Sequence, residues 1–230
     1  KVKANSNGIG TIKDTYSREI LEGVTYTYTE SSNGKQQKNY VLEYNPKNAA
    51  VEALAVYGKY AYGGDTLSSN VALAKSKGYT VIAGVNGSPF DTSNGVTIGT
   101  LISNGVIISA SSGKSGYDSF AIKDDGSMFI STSNLTFKYN SNGQDINITH
   151  INKQKKEANT YVYLMTSDYY TDTTTLAAST EVVLAVQSGS VSIGKKLVAK
   201  VESVKNGATR TKIEEGKTKD NIDIYNIYGQ

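Results

Sequence analysis

An α+β fold, a mixed or antiparallel multi-stranded sheet carrying one clear helix at 66–78, is what this 230-residue chain predicts. Three observations point there. Val24, Tyr26 and Tyr28 alternate with Thr25, Thr27 and Thr29, which is the period of a strand. Residues 66–78, TLSSNVALAKSKG, have a capping residue at the head, a glycine at the end and a narrow apolar stripe of Leu67, Val71 and Ala74 at helical spacing. The 17 tyrosines and only 2 prolines, broken up by Gly, Asn, Ser and Asp clusters, make a strand-and-turn composition.

Taken in order, residues 1–19 read as an extended lead-in and 20–230 as a single domain, incomplete at its C-terminus. The alternating stretch 18–30 is the first strand, and Asn33-Gly34 turns it into a second at 37–44, which Asn45-Pro46 ends. Residues 49–57, AAVEALAVY, give a third. After the helix, whose Lys75 and Lys77 suit the negative end of the macrodipole, 79–85 reads YTVIAGV. A run so apolar is expected to be a central strand buried on both faces. Hairpins follow, 100–102 with 106–109 about Asn104-Gly105, and 119–122 with 128–131 about Asp124-Asp125-Gly126. Further strands are expected at 134–139, 160–165, 181–186 and 196–204, before a tail, 214–230, that is charged and then Tyr/Ile-rich. No repeat at a fixed period occurs.

Composition removes several function classes. Without cysteine there are no disulfides and no thiolate metal sites. A net charge of +3 gives no argument for nucleic acid or an anionic membrane. No apolar run approaches the roughly 20 residues of a membrane span. The lysines at 153–156 and 195–219 read as solvated faces. His150 is the only histidine, stands near no nucleophile motif, and reads as structural. Asp91 to Thr97 offers oxygen ligands at alternate positions, but its twelfth position is Ile102, not a glutamate, so an EF-hand is excluded and a looser calcium site stays open. Asp168-Tyr-Tyr-Thr-Asp172 reads as an oxygen-rich loop. The two arginines, Arg18 and Arg210, make no phosphate-gripping cluster.

The densest special chemistry is GVNGSPFDTSNGVTIGTLISNG, 84–105, directly after the apolar run. Asn86 and Gly87 are expected at the rim of the core, Phe90 as an anchor in the core or a pocket wall, and Asp91 as a carboxylate at the same mouth. Gly87 allows positive φ or close ligand approach. The residues alone support an unusual turn and a binding site equally.

The order VIAGVNGSPF, GVTIGTLISNG, DSFAIKDDG, ITHINKQKKEANTYVYLMTSDYYTDT, TEVVLAV resembles the phosphodiester glycosidase family, across residues from about 20 to about 204. That family includes the lysosomal uncovering enzyme, which removes N-acetylglucosamine from a phosphodiester. The resemblance implies a bacterial secreted or surface hydrolase of sugar-1-phosphodiester or related glycosidic bonds in cell-wall or exopolysaccharide glycans. It implies substrate binding by Asn86, Gly87, Ser88, Phe90, Thr97 and Gly99, with Asp91 the nearest carboxylate for acid–base work. Pro89 stands where the family has the first phenylalanine of a pair. The family's later motifs, an RTAIG-like strand and an aspartate-triple-glycine-serine run, are not in this chain; Arg210-Thr211 is followed by Lys212-Ile213-Glu214. Expected partners are therefore a glycan or sugar phosphate, and a second chain or C-terminal segment completing the domain.

A second reading is a non-catalytic carbohydrate-binding or structural module of a larger surface protein. It would keep the Asn86 loop for recognition and use tyrosines such as Tyr57, Tyr60, Tyr62, Tyr169 and Tyr170 as platforms.

Overall fold

A computed structural model describes residues 6–45, 51–213 and 224–228, the last by backbone alone. The fold is α+β, with about half of the residues in strands. The chain divides into two compact units. The first holds Lys1–Ala53 and Ala121–Phe129, the second Leu54–Phe120 and Ile130–Gln230.

The first unit is built on an antiparallel meander of β1 (Thr11–Leu21), β2 (Val24–Ser32) and β3 (Gln36–Tyr44), preceded by a one-turn helix α1 (Ser6–Ile9). The expected strand at 18–30 is thus two strands. Gly23, at φ 73°, allows the reversal at Glu22-Gly23, and Glu19 Oε1 accepts the Gly23 N–H at 2.8 Å. Residues 11–19 of the expected lead-in belong to β1, which pairs with β2 from Thr11↔Ser32 to Leu21↔Val24. The alternation that marks β2 cannot mark β1, where charged and polar residues occupy both faces.

The second unit opens without regular structure. Residues 51–57 form no strand, and 49–50 of that expected strand lie outside the described residues. α2 (Leu67–Ser76) starts where its cap predicts: Thr66 Oγ1 accepts the Ser69 N–H at 3.1 Å. Gly78, at φ 92°, takes the left-handed position beyond the helix end.

A seven-stranded sheet follows, with β4 (Leu101–Ser103), β5 (Val106–Ser111), β10 (His150–Ile151), β11 (Tyr163–Met165), β12 (Ser179–Gly189), β13 (Leu197–Ala208) and β14 (Ile224–Tyr228). Their spatial order is β13-β12-β14-β11-β10-β5-β4, antiparallel except for the parallel β10–β11 pair. The strand expected at 160–165 narrows to its last three residues. β6 (Gly113–Ile122) pairs with β7 (Met128–Leu135), and β8 (Phe137–Ser141) with β9 (Gln144–Ile148). One core cluster gathers Ile107, Ala110, Ile148, Ile151, Val162 and Leu164, and a second gathers Val96, Tyr163, Met165, Tyr169 and Ile213.

The run 79–85 departs most from expectation. It is not a strand, and Val85 is 88% exposed. Its composition does suit burial, but a strand needs a neighbour for its backbone N–H and C=O groups. Among the described residues no strand pairs with it.

Candidate functional site

The segment 86–90 is exposed throughout, so Asn86 and Gly87 do not sit on the rim of a core strand. No hydrogen bond among the described residues engages the Asn86 or Ser88 side chain. Gly87 is not at positive φ, and a Cβ there would meet nothing within 4 Å. Phe90 does not reach the core either; it is 55% exposed, and its backbone bridges Thr97. The anchor is Val96, buried among Tyr163, Met165 and Tyr169. That role is not legible in the sequence because Val96 lies inside a polar turn, where a single apolar residue forms no pattern.

From Asp91 onward the loop is tightly built. Asp91 Oδ1 accepts the Ser93 N–H at 2.9 Å and the Ser93 hydroxyl at 2.6 Å, and Asn94 Oδ1 accepts the Val96 N–H at 2.9 Å. These are the local side-chain bonds that hold Asx turns. Gly95, at φ 73°, lets the backbone pass against Gly63-Gly64: a Cβ there would lie 2.2 Å from the Gly64 nitrogen.

The stretch 153–156, KQKK, fastens this loop from outside. Lys153 donates to the carbonyls of Thr97, Ile98 (3.1 Å) and Gly99 (3.0 Å). Gln154 Oε1 accepts from Asn94 Nδ2 at 3.0 Å, and its Nε2 donates to the Thr174 carbonyl. Lys156 pairs with Asp91 Oδ2 and donates to Ser93 Oγ. Lys155 is buried, and its carbonyl accepts the Leu176 N–H. The solvated lysine face expected here is instead a clasp. Its partners in the loop lie 54 to 65 residues away, beyond any local pattern.

The clasp fixes the electrostatics. The Lys156 ammonium, with the Ser93 hydroxyl and N–H, holds the Asp91 carboxyl well below the usual carboxylate range. Asp91 is therefore an anion at any ordinary pH, the wrong state for a proton donor and a weak base. Burial pushes Lys153 down to about 8. The oxygens that suggest a calcium loop are engaged by two ammonium groups, which a cation would have to displace. Among the described residues no three His, Asp or Glu side chains gather as a metal set. Of the expected binding residues, Thr97 and Gly99 turn their carbonyls to Lys153, while Asn86, Gly87, Ser88 and Phe90 stand outward.

His150 is structural in its contacts. Its ring stacks on Tyr163 at 4.6 Å, and burial, then the Lys153 charge, bring it down to about 4, so it is neutral near pH 7. A separate cleft of about 250 Å³ lies between residues 54–58, the inner face of α2 and the β4–β5 turn. In its wall the Tyr57 hydroxyl donates to Asp168 Oδ1 at 2.8 Å, and burial, then the Asp168 charge, push the Tyr57 phenol up. The pair is separated by 111 residues, so nothing local in the sequence joins them.

No family model and no curated protein matches the chain. Its fold is similar to that in a crystal structure of a hypothetical protein from Synechocystis, with a TM-score of 0.60 and 16% identity. The match covers 94% of this chain and 37% of that one, so the chain spans a little over a third of the neighbour's length.

Proposed function

We propose that this chain supplies the recognition loop of a bacterial secreted or surface hydrolase acting on sugar-1-phosphodiester or related glycosidic bonds of cell-wall or exopolysaccharide glycans. The observation that carries the reading is the contrast within one loop. Residues 91–99 are clasped by Lys153, Gln154 and Lys156, while 86–90 project from them with the Asn86 amide and Ser88 hydroxyl unengaged. A rigid base holding outward amide, hydroxyl and backbone groups suits hydrogen bonding to sugar or phosphate oxygens. In this reading Asp91 is a positioning residue. The exposed apolar run 79–85 is where a second chain or a further segment completes the domain and brings acid–base groups to the Asn86 mouth.

The engaged state of Asp91 favours one other reading, a glycan-binding module without turnover. Both are tested with a synthetic N-acetylglucosamine-1-phosphodiester, measuring binding and release of the sugar by the chain and by Asn86→Ala. Binding that Asn86→Ala removes, with circular dichroism unchanged, supports a site at the loop. Release of sugar by the complete protein separates hydrolase from module. Equal binding by both proteins, or none, sinks the loop as a site.

A further inference from the structure

The meander of the first unit presents a surface built from its own three strands. Directly paired residues of an antiparallel sheet share a face. Tyr16 pairs with Tyr28 and Tyr28 with Tyr40, so three tyrosines form one row across β1, β2 and β3. The row is about 10 Å long at ordinary strand spacing. Tyr16 is 49% and Tyr40 65% exposed.

The centre of the row is held in place. The Tyr28 and Tyr40 rings lie 5.3 Å apart at 45°. The Tyr28 hydroxyl donates to Glu30 Oε2 at 3.1 Å, and Glu30 Oε1 accepts from Gln36 at 2.6 Å. Charged residues flank the rings on both sides. Asp14, Glu30 and Lys38 make the row on one side, and Arg18, Tyr26 and Leu42 the row on the other.

Two acids and two bases cancel, which favours neither a polyanion nor a cationic partner. A charged row on one side and Arg18 on the other leave the rings only a narrow apolar strip, short of the broad dry centre a stable protein interface needs. Ordered rings with polar tips, bordered by donors and acceptors, match a ligand with apolar faces and hydroxyl edges.

We propose that the Tyr16–Tyr28–Tyr40 row binds a neutral glycan chain, stacking about two pyranose rings along the row while Asp14, Glu30, Arg18 and Lys38 bond their hydroxyls. This site is independent of the Asn86 loop and does not rest on the phosphodiester reading.

The chain has no tryptophan, so its fluorescence is the emission of 17 tyrosines, three of them in the row, and variants in the row assign any change to these rings. Cellohexaose and chitohexaose are titrated separately into the whole chain. Saturable quenching or enhancement is expected with at least one of them. Tyr16→Ala and Tyr40→Ala should each weaken it roughly tenfold, and Tyr40→Phe, which keeps the ring, should retain it. Asn86→Ala should leave hexaose binding unchanged, so failure at either site leaves the other standing. The proposal is overturned if neither hexaose binds, or if binding survives both alanine variants. It is equally overturned if sedimentation shows a dimer that Tyr40→Ala disperses, which would make the row a contact between copies.

Discussion

Asn152 and Thr166 are bonded to each other twice inside the core: Asn152 Nδ2 donates to Thr166 Oγ1 at 2.9 Å, and the Thr166 N–H donates to Asn152 Oδ1 at 2.8 Å. Asn152 also donates to the Ile108 carbonyl at 2.8 Å and is fully buried. It sits at φ 50°, a conformation asparagine tolerates better than most residues. One side chain thus ties the ends of β10 and β11 to β5, immediately before the clasp begins. Asn152→Ala would take the side-chain partner from the buried Thr166 N–H and Ile108 carbonyl, while the Thr166 hydroxyl keeps Asp168. A loss of about 3 kcal/mol is expected in urea unfolding. A loss under about 1 kcal/mol would mean that the site relaxes or admits water.

Lys153 should make stability depend on pH in a defined window. Burial lowers its pKa from 10.5 to about 8. Between those values the unfolded chain holds a proton that the folded chain has released, so stability rises with pH from about 8 to 10.5. The gain is at most about 3 kcal/mol. Lys153→Met keeps much of the stem and removes the titration. Its unfolding free energy should lack this rise when both proteins are measured across the window. Parallel curves would show that the carbonyls of Thr97, Ile98 and Gly99 hold the ammonium as well as water does.

The reach of sequence reasoning follows from where each determinant lies. β2, β3, β12 and α2 are legible because their signals are local: alternation, an apolar run, and Thr66 and Gly78 as caps. The hairpin turns at Asn104-Gly105 and Asp125-Gly126 are legible for the same reason; Asp125 Oδ1 accepts the Ser127 N–H at 2.8 Å. The run 79–85 misleads because apolar content reports a demand for burial and not the presence of a neighbour. The stretch 18–30 misleads because one glycine, Gly23, divides a continuous-looking pattern. Within the site, Asn86 and Asp91 stand out from loop chemistry alone. Lys153, Gln154 and Lys156 do not, since four polar residues in a row look the same whether they meet water or a loop 54 to 65 residues upstream.

Two glycines of the loop should respond oppositely to alanine. Gly95 has φ 73°, and its Cβ would meet the Gly64 nitrogen at 2.2 Å and the Gly63 carbonyl carbon at 2.6 Å. Those are backbone atoms that cannot swing aside, so Gly95→Ala should cost about 2 kcal/mol or more. Gly87→Ala meets nothing and needs no positive φ, so thermal unfolding should be unchanged within a degree or so. Any loss of phosphodiester binding in Gly87→Ala then reports on ligand approach and not on folding. Equal destabilisation by the two changes would refute this division of the loop into a packed base and an open head.

The Asp91–Lys156 pair should act on the loop rather than on proton transfer. The folded pKa of Asp91 is depressed, so its stabilisation is present above the ordinary carboxylate range near pH 4 and is lost as pH falls through and below it. Both side chains are partly exposed, which limits the pair to about 1 kcal/mol or less of global stability. The local effect should be clearer. The Gly95 N–H donates to the Asp91 carbonyl at 2.7 Å and the Asn94 N–H at 3.1 Å, so releasing Asp91 loosens the turn that carries Val96. Lys156→Met and Asp91→Asn should therefore both speed hydrogen exchange at Ser93, Asn94 and Gly95 several-fold, with the seven-stranded sheet unaffected. Where turnover is measured, the two variants should shift KM alike. A collapse of kcat in Asp91→Asn that Lys156→Met does not share would return Asp91 to the chemistry, because an ion pair lost from either side removes the same contact, whereas only the aspartate could carry a proton.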